Sequence, residues 1–340
     1  MEYRRLGNSG IEVSPICLGM MSYGSKDFQS WLLKPEDGEL FFKAALDRGI
    51  NFFDTAPLYS FGQSEEILGN AVAKLTQRRH VVLATKVGIG IEKGPNQRGL
   101  SRKYIHESVN ASLKRLQTDY VDVLYCHCDD PLTPVEETLG ALNDVVRAGK
   151  ARYIGVSNFS AWSFARAFYK AQHLHGLRID AAQIQYNLAY REEEREVLPF
   201  CRAEQIGVTT YSPLARGYLV SAPSSQQRLT NTESARATGD LKALATYGTG
   251  SDAAVAARLA ELAAQKGMSA SRIAIAWILA QRGVSSVVFG ATEPAHLEEA
   301  VASTTTTLSD EEIAWLQEPY VTRPVMETDV PVKVGGERVK

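Results

Sequence analysis

Eight short apolar segments alternate with helical segments along this chain, and the alternation strongly constrains its fold. The apolar segments are Ile16–Met20, Asn51–Asp54, Val81–Val87, Val121–His127, Tyr153–Val156, Ala182–Tyr186, Val208–Tyr211 and Ser286–Phe289. Nearly continuous apolar strands indicate burial on both faces, as in a parallel sheet. Eight successive βα units favour an α/β fold of the closed (β/α)8, or TIM, barrel type over an open doubly wound sheet.

The helical segments between the strands carry apolar residues at three- and four-residue spacing. They are predicted at Ser101–Leu116, from Pro134 onward, and at Ser160–His175, Arg191–Gln205, Ala253–Ala264, Ser271–Arg282 and Pro294–Ser303. Each follows one of the apolar segments or the long loop described next. The order of elements therefore matches repeated βα units.

We predict one domain spanning residues 1–340, because barrels of this class commonly exceed the usual domain length. Residues 1–14 are predicted to form a β-hairpin that turns at Asn8-Ser9-Gly10 and covers the N-terminal mouth of the barrel. Two segments interrupt the alternation. Residues 216–251 form a long polar loop after the seventh strand, and residues 319–340 form an extended tail.

Composition excludes several classes of protein. The formal net charge is −2 and the basic residues are scattered, so neither nucleic acid nor an anionic membrane surface is an expected partner. No apolar run approaches the roughly 18 residues of a membrane span. The first residues lack the apolar core of a signal peptide. Four cysteines are too few for a disulfide framework in this chain, and we expect a cytoplasmic protein.

Cys126-His127-Cys128 is the one cluster of metal-ligand residue types that needs an interpretation. On a strand, the two cysteines point to the face opposite His127, so the three side chains cannot easily share an ion. No second Cys/His pair follows at zinc-finger spacing. We therefore predict no metal site.

Three consecutive apolar segments end in a charged or titratable residue: Asp54, Lys86 and His127, with Tyr59 close behind the first. Singly, Asp54 has an ordinary interpretation as a helix N-cap and Lys86 as a surface lysine with a buried stem. Jointly they indicate one site, because buried charges are costly unless paired and barrel active sites lie at the C-terminal ends of the strands.

The residue types at this site indicate proton transfer to an oxygen. A tyrosine hydroxyl has an ordinary pKa of roughly 10, and a neighbouring ammonium is expected to lower that pKa by stabilising the phenolate. Asp54 can neutralise and orient Lys86, and His127 can donate a hydrogen bond to a carbonyl oxygen. No side chain supplies hydride, so a nicotinamide cofactor is the expected source of electrons.

The motif D-T-A-P-L-Y, with T-K and C-H downstream, resembles the catalytic tetrad of the aldo-keto reductase superfamily. The resemblance continues through Y-R-R-L-G-N-S-G-I-E-V-S-P-I-C-L-G, G-L-S-R-K-Y-I, G-K-A-R-Y-I-G-V-S-N-F-S, Q-I-Q-Y-N, T-Y-S-P-L-A-R-G-Y-L and G-A-T-E-P-A-H-L-E-E-A. These motifs span nearly the whole chain. The length and the hairpin start resemble the branch that includes bacterial reductases and potassium-channel β-subunits.

The resemblance implies a role for each matching residue. Tyr59 would be the proton donor in reduction and the base in oxidation, Asp54 and Lys86 would tune it, and His127 would orient the carbonyl. Cofactor contacts are implied for Ser157, Asn158 and Gln183 (nicotinamide carboxamide), Tyr211 (nicotinamide face), Ser212, Leu214, Arg216 and Gly217 (pyrophosphate), and Gly290, Thr292, His296 and Glu299 (adenosine end).

The adenosine end departs from the common family pattern. Thr292 stands where a Ser or Arg is frequent, His296 where a Gln or Arg is frequent, and Ala300 where an Asn is frequent, so a guanidinium clamp for a 2′-phosphate is missing there. Arg216 or Arg228 in the long loop is a possible substitute. On family grounds NADPH is preferred over NADH.

Two further features have competing interpretations. Gly88-Ile-Gly90 resembles a phosphate-binding loop, but no helix starts immediately after it, so a plain βα loop is favoured. The aromatic residues Tyr23, Trp31 and Trp162 are candidates for the substrate pocket, with plain packing as the alternative.

The sequence thus predicts an enzyme that reduces a small aldehyde or ketone. A nicotinamide-binding regulatory subunit is a second hypothesis, although no docking segment or inactivation peptide is recognisable. A third is the same site acting oxidatively on an alcohol or sugar.

Overall fold

The computed structural model describes residues 1–220, 240–325, 333–334 and 337–338, and its central feature is a closed barrel of eight parallel strands. The strands are β1 (Arg4–Arg5), β2 (Glu12–Val13), β3 (Ile16–Gly19), β4 (Phe52–Asp54), β5 (Val82–Val87), β6 (Val121–Cys126), β7 (Ala151–Ser157), β8 (Ile179–Gln185), β9 (Gly207–Tyr211), β10 (Val284–Phe289), β11 (Lys333–Val334) and β12 (Glu337–Arg338), and the last two pair antiparallel with each other. The barrel order is β3 to β10 in sequence, and β10 pairs with β3 to close it. The predicted (β/α)8 architecture is confirmed.

Helices surround the barrel in the described part of the chain. They are α1 (Pro35–Asp47), α2 (Gln63–Leu75), α3 (Arg102–Leu116), α4 (Val135–Arg147), α5 (Ala161–His175), α6 (Val197–Ala203), α7 (Leu241–Thr246), α8 (Asp252–Lys266), α9 (Ala270–Ala280), α10 (Pro294–Ser303) and α11 (Asp310–Gln317). Serine side chains cap several of them; Ser101 and Ser160 each accept a hydrogen bond from the amide three residues later.

The predicted helix Arg191–Gln205 is wrong in its first half. The chain forms a short 3-10 turn at Glu192–Glu194, and α6 begins only at Val197. Pro199 explains the difference, because its ring would clash with the carbonyl of Arg195 in one continuous helix. In the structure Pro199 lies in the first turn of α6, where a missing N–H is tolerated.

The long loop predicted at residues 216–251 contains more regular structure than expected. A 3-10 segment, Ala215–Val220, forms its start, and α7 lies near its end. Residues 221–239, with the candidate Arg228, lie outside the described residues. The beginning of the predicted tail is also anchored: the Tyr320 hydroxyl donates to Glu192 Oε1 at 2.8 Å and Arg323 Nη2 contacts Asp252 Oδ2 at 3.2 Å.

The N-terminal hairpin is confirmed and it covers the N-terminal end of the barrel. β1 pairs antiparallel with β2. Leu6, in the connection between them, is fully buried in an apolar cluster with barrel residues that include Cys17, Phe52 and Tyr125. The Asn8 amide donates to the carbonyl of Gln205 at 2.9 Å, which fixes the hairpin to the start of β9.

Three further observations concern the described residues only. None of the helices there is long and apolar enough to cross a membrane. No three His, Cys, Asp or Glu side chains in these ranges are grouped as a metal site. Cys17, Cys126, Cys128 and Cys201 are not joined by disulfide bonds.

We predict that Gly7→Ala destabilises the protein. Gly7 has φ +61°, and an added Cβ would lie 2.3 Å from the backbone nitrogen of Gly207. The strained conformation and this collision should together cost about 2 kcal/mol or more, measured as a lower Tm in thermal unfolding. Gly10→Ala in the same hairpin is the control, because its Cβ meets nothing within 4 Å. Equal Tm values for the two variants would contradict the prediction.

Candidate active site

The four residues of the predicted tetrad meet at the C-terminal ends of three neighbouring strands. Asp54 ends β4, Lys86 is the last residue but one of β5, and His127 directly follows β6. Tyr59 begins a 3-10 turn, Tyr59–Gly62, in the loop after β4. Because the strands are parallel neighbours, their ends lie at one edge of the barrel and bring these side chains together.

Lys86 is the centre of the arrangement. Its Nζ lies 2.6 Å from Asp54 Oδ1, 3.2 Å from the Tyr59 hydroxyl and 3.0 Å from the carbonyl oxygen of Thr55. An ammonium has three hydrogens, so these three acceptors satisfy it completely. The Lys86 and Asp54 side chains are only 1% and 3% exposed. This pairing offsets a desolvation cost of several kcal/mol per ion.

The two pKa shifts at the site have opposing causes. Burial disfavours the Lys86 ammonium, but the Asp54 carboxylate and the Tyr59 hydroxyl outweigh that effect and raise the pKa of Lys86. Burial raises the pKa of Tyr59, and Lys86 lowers it by a smaller amount. Lys86 therefore lowers the pKa of Tyr59 as expected, but in the protein alone burial outweighs this effect and the pKa lies above its ordinary value. At neutral pH Tyr59 retains its proton.

His127 lies beside Tyr59. The two rings meet edge to face, with centroids 6.0 Å apart and planes at 90°. The backbone of His127 is held from both sides: its amide donates to the carbonyl of Val87 at 2.8 Å, and its carbonyl accepts from Asn158 Nδ2 at 2.8 Å. The backbone that carries this polar ring is thereby fixed beside the Tyr59 ring.

The polar side chains expected to bind a carboxamide lie on the next two strands. Ser157 and Gln183 are direct partners across β7 and β8. Asn158 Nδ2 donates to Ser157 Oγ at 3.0 Å, and Gln183 Nε2 donates to Asp54 Oδ2 at 2.9 Å. Two amides and a hydroxyl provide both donors and acceptors. This set fits the donor and acceptor groups of a nicotinamide carboxamide.

Tyr211 ends β9 and is oriented by neighbouring amides. Its hydroxyl lies 2.7 Å from Asn158 Oδ1 and 3.4 Å from Gln185 Oε1. Gln185 and Asn187 in turn donate to the Tyr247 hydroxyl at 2.9 Å and 3.0 Å. Sequence reasoning missed these three residues. Q-I-Q-Y-N carries two of them, whereas nothing in the sequence marked Tyr247.

The residues expected along the pyrophosphate begin in an unusual backbone. Ser212, Ala215 and Arg216 all have positive φ, at 54°, 50° and 58°, followed by Gly217 at 100°. Such conformations are strained for residues with a Cβ and cluster at functional sites. Leu214 packs against the apolar core. The Arg216 guanidinium pairs with Asp240 at 2.6 Å, and both side chains are largely buried, so its charge is compensated.

The residues expected at the adenosine end follow β10. Gly290 comes directly after this strand, and an added Cβ would lie 2.6 Å from Ser22 Oγ. Thr292 Oγ1 lies 3.3 Å from His296 Nδ1, at the start of α10. Glu299, also on α10, accepts a hydrogen bond from Ser269 Oγ, the N-cap of α9.

The three candidate pocket aromatics occupy different environments. Tyr23 is fully buried, stacks on Phe41 and donates its hydroxyl hydrogen to the carbonyl of Ala291 at 2.8 Å, which supports the packing interpretation. Trp31 is buried, and Trp162 on α5 is 68% exposed. Phe61, two residues after Tyr59, was missed; it is 44% exposed and meets Phe28 edge to face.

A buried lysine thus lies between a carboxylate and a tyrosine hydroxyl at the strand ends of a (β/α)8 barrel, the edge at which enzymes of this fold have their active sites. The sequence model of the Aldo/keto reductase family matches residues 15–320. This chain belongs to that family. Its members are NAD(P)H-dependent oxidoreductases that act on small-molecule carbonyl compounds.

Named relatives are similar over nearly their whole length. Versiconal hemiacetal acetate reductase of Aspergillus parasiticus is 39% identical, covering 96% of this chain and 98% of its own. A Schizosaccharomyces pombe protein named as an aryl-alcohol dehydrogenase is 38% identical, with coverages of 95% and 97%. An aldo-keto reductase of Alternaria alternata is 35% identical, with coverages of 95% and 92%.

We predict that Lys86→Met strongly destabilises the fold and that adding Asp54→Asn recovers much of the loss. Removing one partner of a buried ion pair leaves an uncompensated charge, at a cost of about 3–5 kcal/mol. The measurement is the Tm of both variants. Lys43→Met is the control, because Lys43 is 58% exposed in its pair with Asp47 and should contribute under about 0.5 kcal/mol. If Lys86→Met is as stable as the control Lys43→Met, the prediction is refuted.

Proposed function

We propose that this protein reduces an aldehyde or ketone to the alcohol with NADPH as the preferred cofactor, and that Tyr59 donates the proton. The observation that carries the proposal is the buried Lys86 ammonium, 2.6 Å from the Asp54 carboxylate and 3.2 Å from the Tyr59 hydroxyl. The Tyr59 hydroxyl, which we propose as the proton donor, therefore contacts the buried ammonium of Lys86.

Each residue of the site has a distinct part in this reaction. A nicotinamide cofactor, when bound, would supply hydride to the carbonyl carbon. Tyr59 and His127 hydrogen-bond the carbonyl oxygen, and Tyr59 transfers its proton to that oxygen as negative charge develops there. Lys86 stabilises the resulting phenolate. Asp54 holds Lys86 in its charged form and in position.

Ser157, Asn158 and Gln183 would hold the carboxamide of the nicotinamide, and the Tyr211 ring would support its face. The Asn158–Tyr211 hydrogen bond of 2.7 Å supports this arrangement, because it holds the two groups in one orientation. The preference for NADPH rests on the family, since Arg216 is already paired with Asp240. Equal dissociation constants for NADPH and NADH, measured by fluorescence titration, would remove this preference.

We infer an aromatic aldehyde or aryl ketone as the substrate class. Two of the relatives are named for hemiacetal acetate reduction and for aryl-alcohol dehydrogenation. The exposed Phe61, two residues after Tyr59 in the same turn, supports this inference, because an aromatic ring offers a stacking surface for an aryl group.

The regulatory and oxidative hypotheses make different predictions for the same assay. A regulatory subunit would bind cofactor tightly and turn over neither aldehydes nor alcohols. An enzyme working oxidatively would use the same tetrad in reverse, with Tyr59 as the base. The complete set of polar contacts around Lys86 supports catalysis over a purely regulatory role.

We predict that Tyr59→Phe loses turnover and keeps cofactor binding. General acid assistance contributes roughly 10²–10⁴-fold, so kcat for 4-nitrobenzaldehyde with NADPH should fall by about that factor. The assay is loss of nicotinamide absorbance, with the NADPH Kd of the variant as the control for an intact site. Most of the activity remaining in the variant would refute the assignment of Tyr59. A wild type inactive in both directions would favour the regulatory hypothesis.

The raised pKa of Tyr59 gives a prediction for pH dependence. Reduction needs the protonated phenol, so kcat/KM should stay level through neutral pH and fall only above about pH 10. Oxidation of the corresponding alcohol needs the phenolate and should rise over the same alkaline range. Both profiles are measured between pH 6 and 11, with return to pH 7 as the test for irreversible loss. If kcat/KM for reduction already falls near pH 7, the proton donor is a group other than Tyr59.

A further inference from the structure

The first turn of α2 lies behind the active site and contacts the chain neighbours of both charged residues. Ser64 and Glu65 are its second and third residues and are fully buried. The helix begins four residues after Tyr59. A polar serine and an acidic residue in such a buried position require specific partners, because burying them unpaired is costly.

Ser64 binds the neighbour of Asp54. The Ser64 hydroxyl donates to the carbonyl of Met20 at 2.9 Å and lies 2.8 Å from Thr55 Oγ1. Because the single hydroxyl hydrogen of Ser64 is directed to Met20, Thr55 is the donor in the second bond. The carbonyl of this same Thr55 accepts from Lys86 Nζ at 3.0 Å. Ser64 therefore holds the backbone that carries Asp54 and binds Lys86.

Glu65 binds the neighbour of Lys86. Thr85 Oγ1 donates to Glu65 Oε1 at 2.5 Å, and Arg115 Nε donates to Glu65 Oε2 at 2.6 Å. Successive side chains of a strand point to opposite faces. Thr85 thus turns toward α2 while Lys86 turns toward the active site, and the Thr85–Glu65 bond holds β5 at the position where Lys86 leaves it.

Arg115 extends this contact to the turn that carries Tyr59. A Cβ added to Gly62 would lie 2.9 Å from Arg115 Cδ, so the arginine stem lies directly against this backbone. Ser60 and Phe61 in the same turn have φ of 50° and 56°. Left-handed conformations of such residues persist only when the surrounding structure holds them.

We propose that Ser64 and Glu65 are positioning residues that set the separation between Lys86 Nζ and the Tyr59 hydroxyl. Two consecutive residues of one helix turn bind Thr55 and Thr85, the neighbours of the Asp54–Lys86 pair, and Glu65 also binds the arginine that supports the Tyr59 turn. The proposal rests on the proposed function, because it assumes that Tyr59 donates the proton with the help of Lys86.

Two substitutions remove one contact each with little change in volume. Thr85→Val deletes the hydroxyl that binds Glu65, and Ser64→Ala deletes the hydroxyl between Thr55 and Met20. Small displacements of reacting groups have large kinetic effects, so we expect kcat to fall about tenfold in each variant while KM and the NADPH Kd stay unchanged. Thr85→Ser restores the hydroxyl and should recover most of kcat.

The pH profile separates positioning from simple loss of stability. Lys86 lowers the pKa of Tyr59, so a looser Lys86–Tyr59 contact should move the alkaline limb of reduction to higher pH. Ser286→Ala is the matched control, because Ser286 is also fully buried and donates to a backbone carbonyl, that of Ser14, at 2.8 Å. This contact joins β10 to the segment that precedes β3, away from the tetrad. The control should lower Tm and leave both kcat and the alkaline limb unchanged.

All variants are compared well below their Tm values, together with Tyr59→Phe. The positioning role would be overturned if Thr85→Val and Ser64→Ala lower Tm as Ser286→Ala does but keep the wild-type kcat and the wild-type alkaline limb. Full activity in Tyr59→Phe would refute the proposed function itself, which is a separate outcome. Lower kcat, a shifted alkaline limb and recovery in Thr85→Ser together support the proposal.

Discussion

The buried ion pair between Lys86 and Asp54 is the interaction on which the rest of the site depends. Two charges that are almost completely removed from solvent are tolerated only with full hydrogen bonding. The structure provides this through Tyr59, Thr55 and Gln183, all within 3.2 Å of one of the two charged groups. Two of these groups, Tyr59 and Gln183, are also ones to which the proposed reaction gives a role, so under this proposal stability and function constrain the same atoms.

The barrel makes such a pair possible because its parallel strands end at one edge. Asp54, Lys86 and His127 come from three neighbouring strands. Ser157 and Tyr211, which we propose bind the cofactor, come from strands further round the same edge. Rigid strands fix where each side chain starts, while the loops after them carry the strained turns at Tyr59–Gly62 and Ala215–Gly217. This division leaves the loops free to vary the substrate.

The sequence predicted the barrel and the meeting of the four tetrad residues because their signals are local: apolar runs of strand length, three of which end in a charged or titratable residue. It could not predict that the helix begins only at Val197. A proline in a helical pattern is compatible either with a kinked helix or with a new helix that has the proline in its first turn, and the sequence does not distinguish the two. Nor could it predict the sign of the net pKa shift of Tyr59, because burial depends on packing from the whole fold. Tyr23 shows the same limit, since an aromatic residue near a strand end packs inward or outward with equal ease.

The contacts that Ser64 and Glu65 make behind the active site were the hardest to predict from the sequence. Thr85 lies inside V-V-L-A-T-K, where a threonine looks like any strand residue, and Glu65 resembles an ordinary acidic residue at a helix start. Only the fold shows that they meet at 2.5 Å and are both almost completely buried. A buried carboxylate could be replaced by apolar packing at no loss of stability, so its presence behind Lys86 and beside the Tyr59 turn is better explained by the geometry that it imposes on the site.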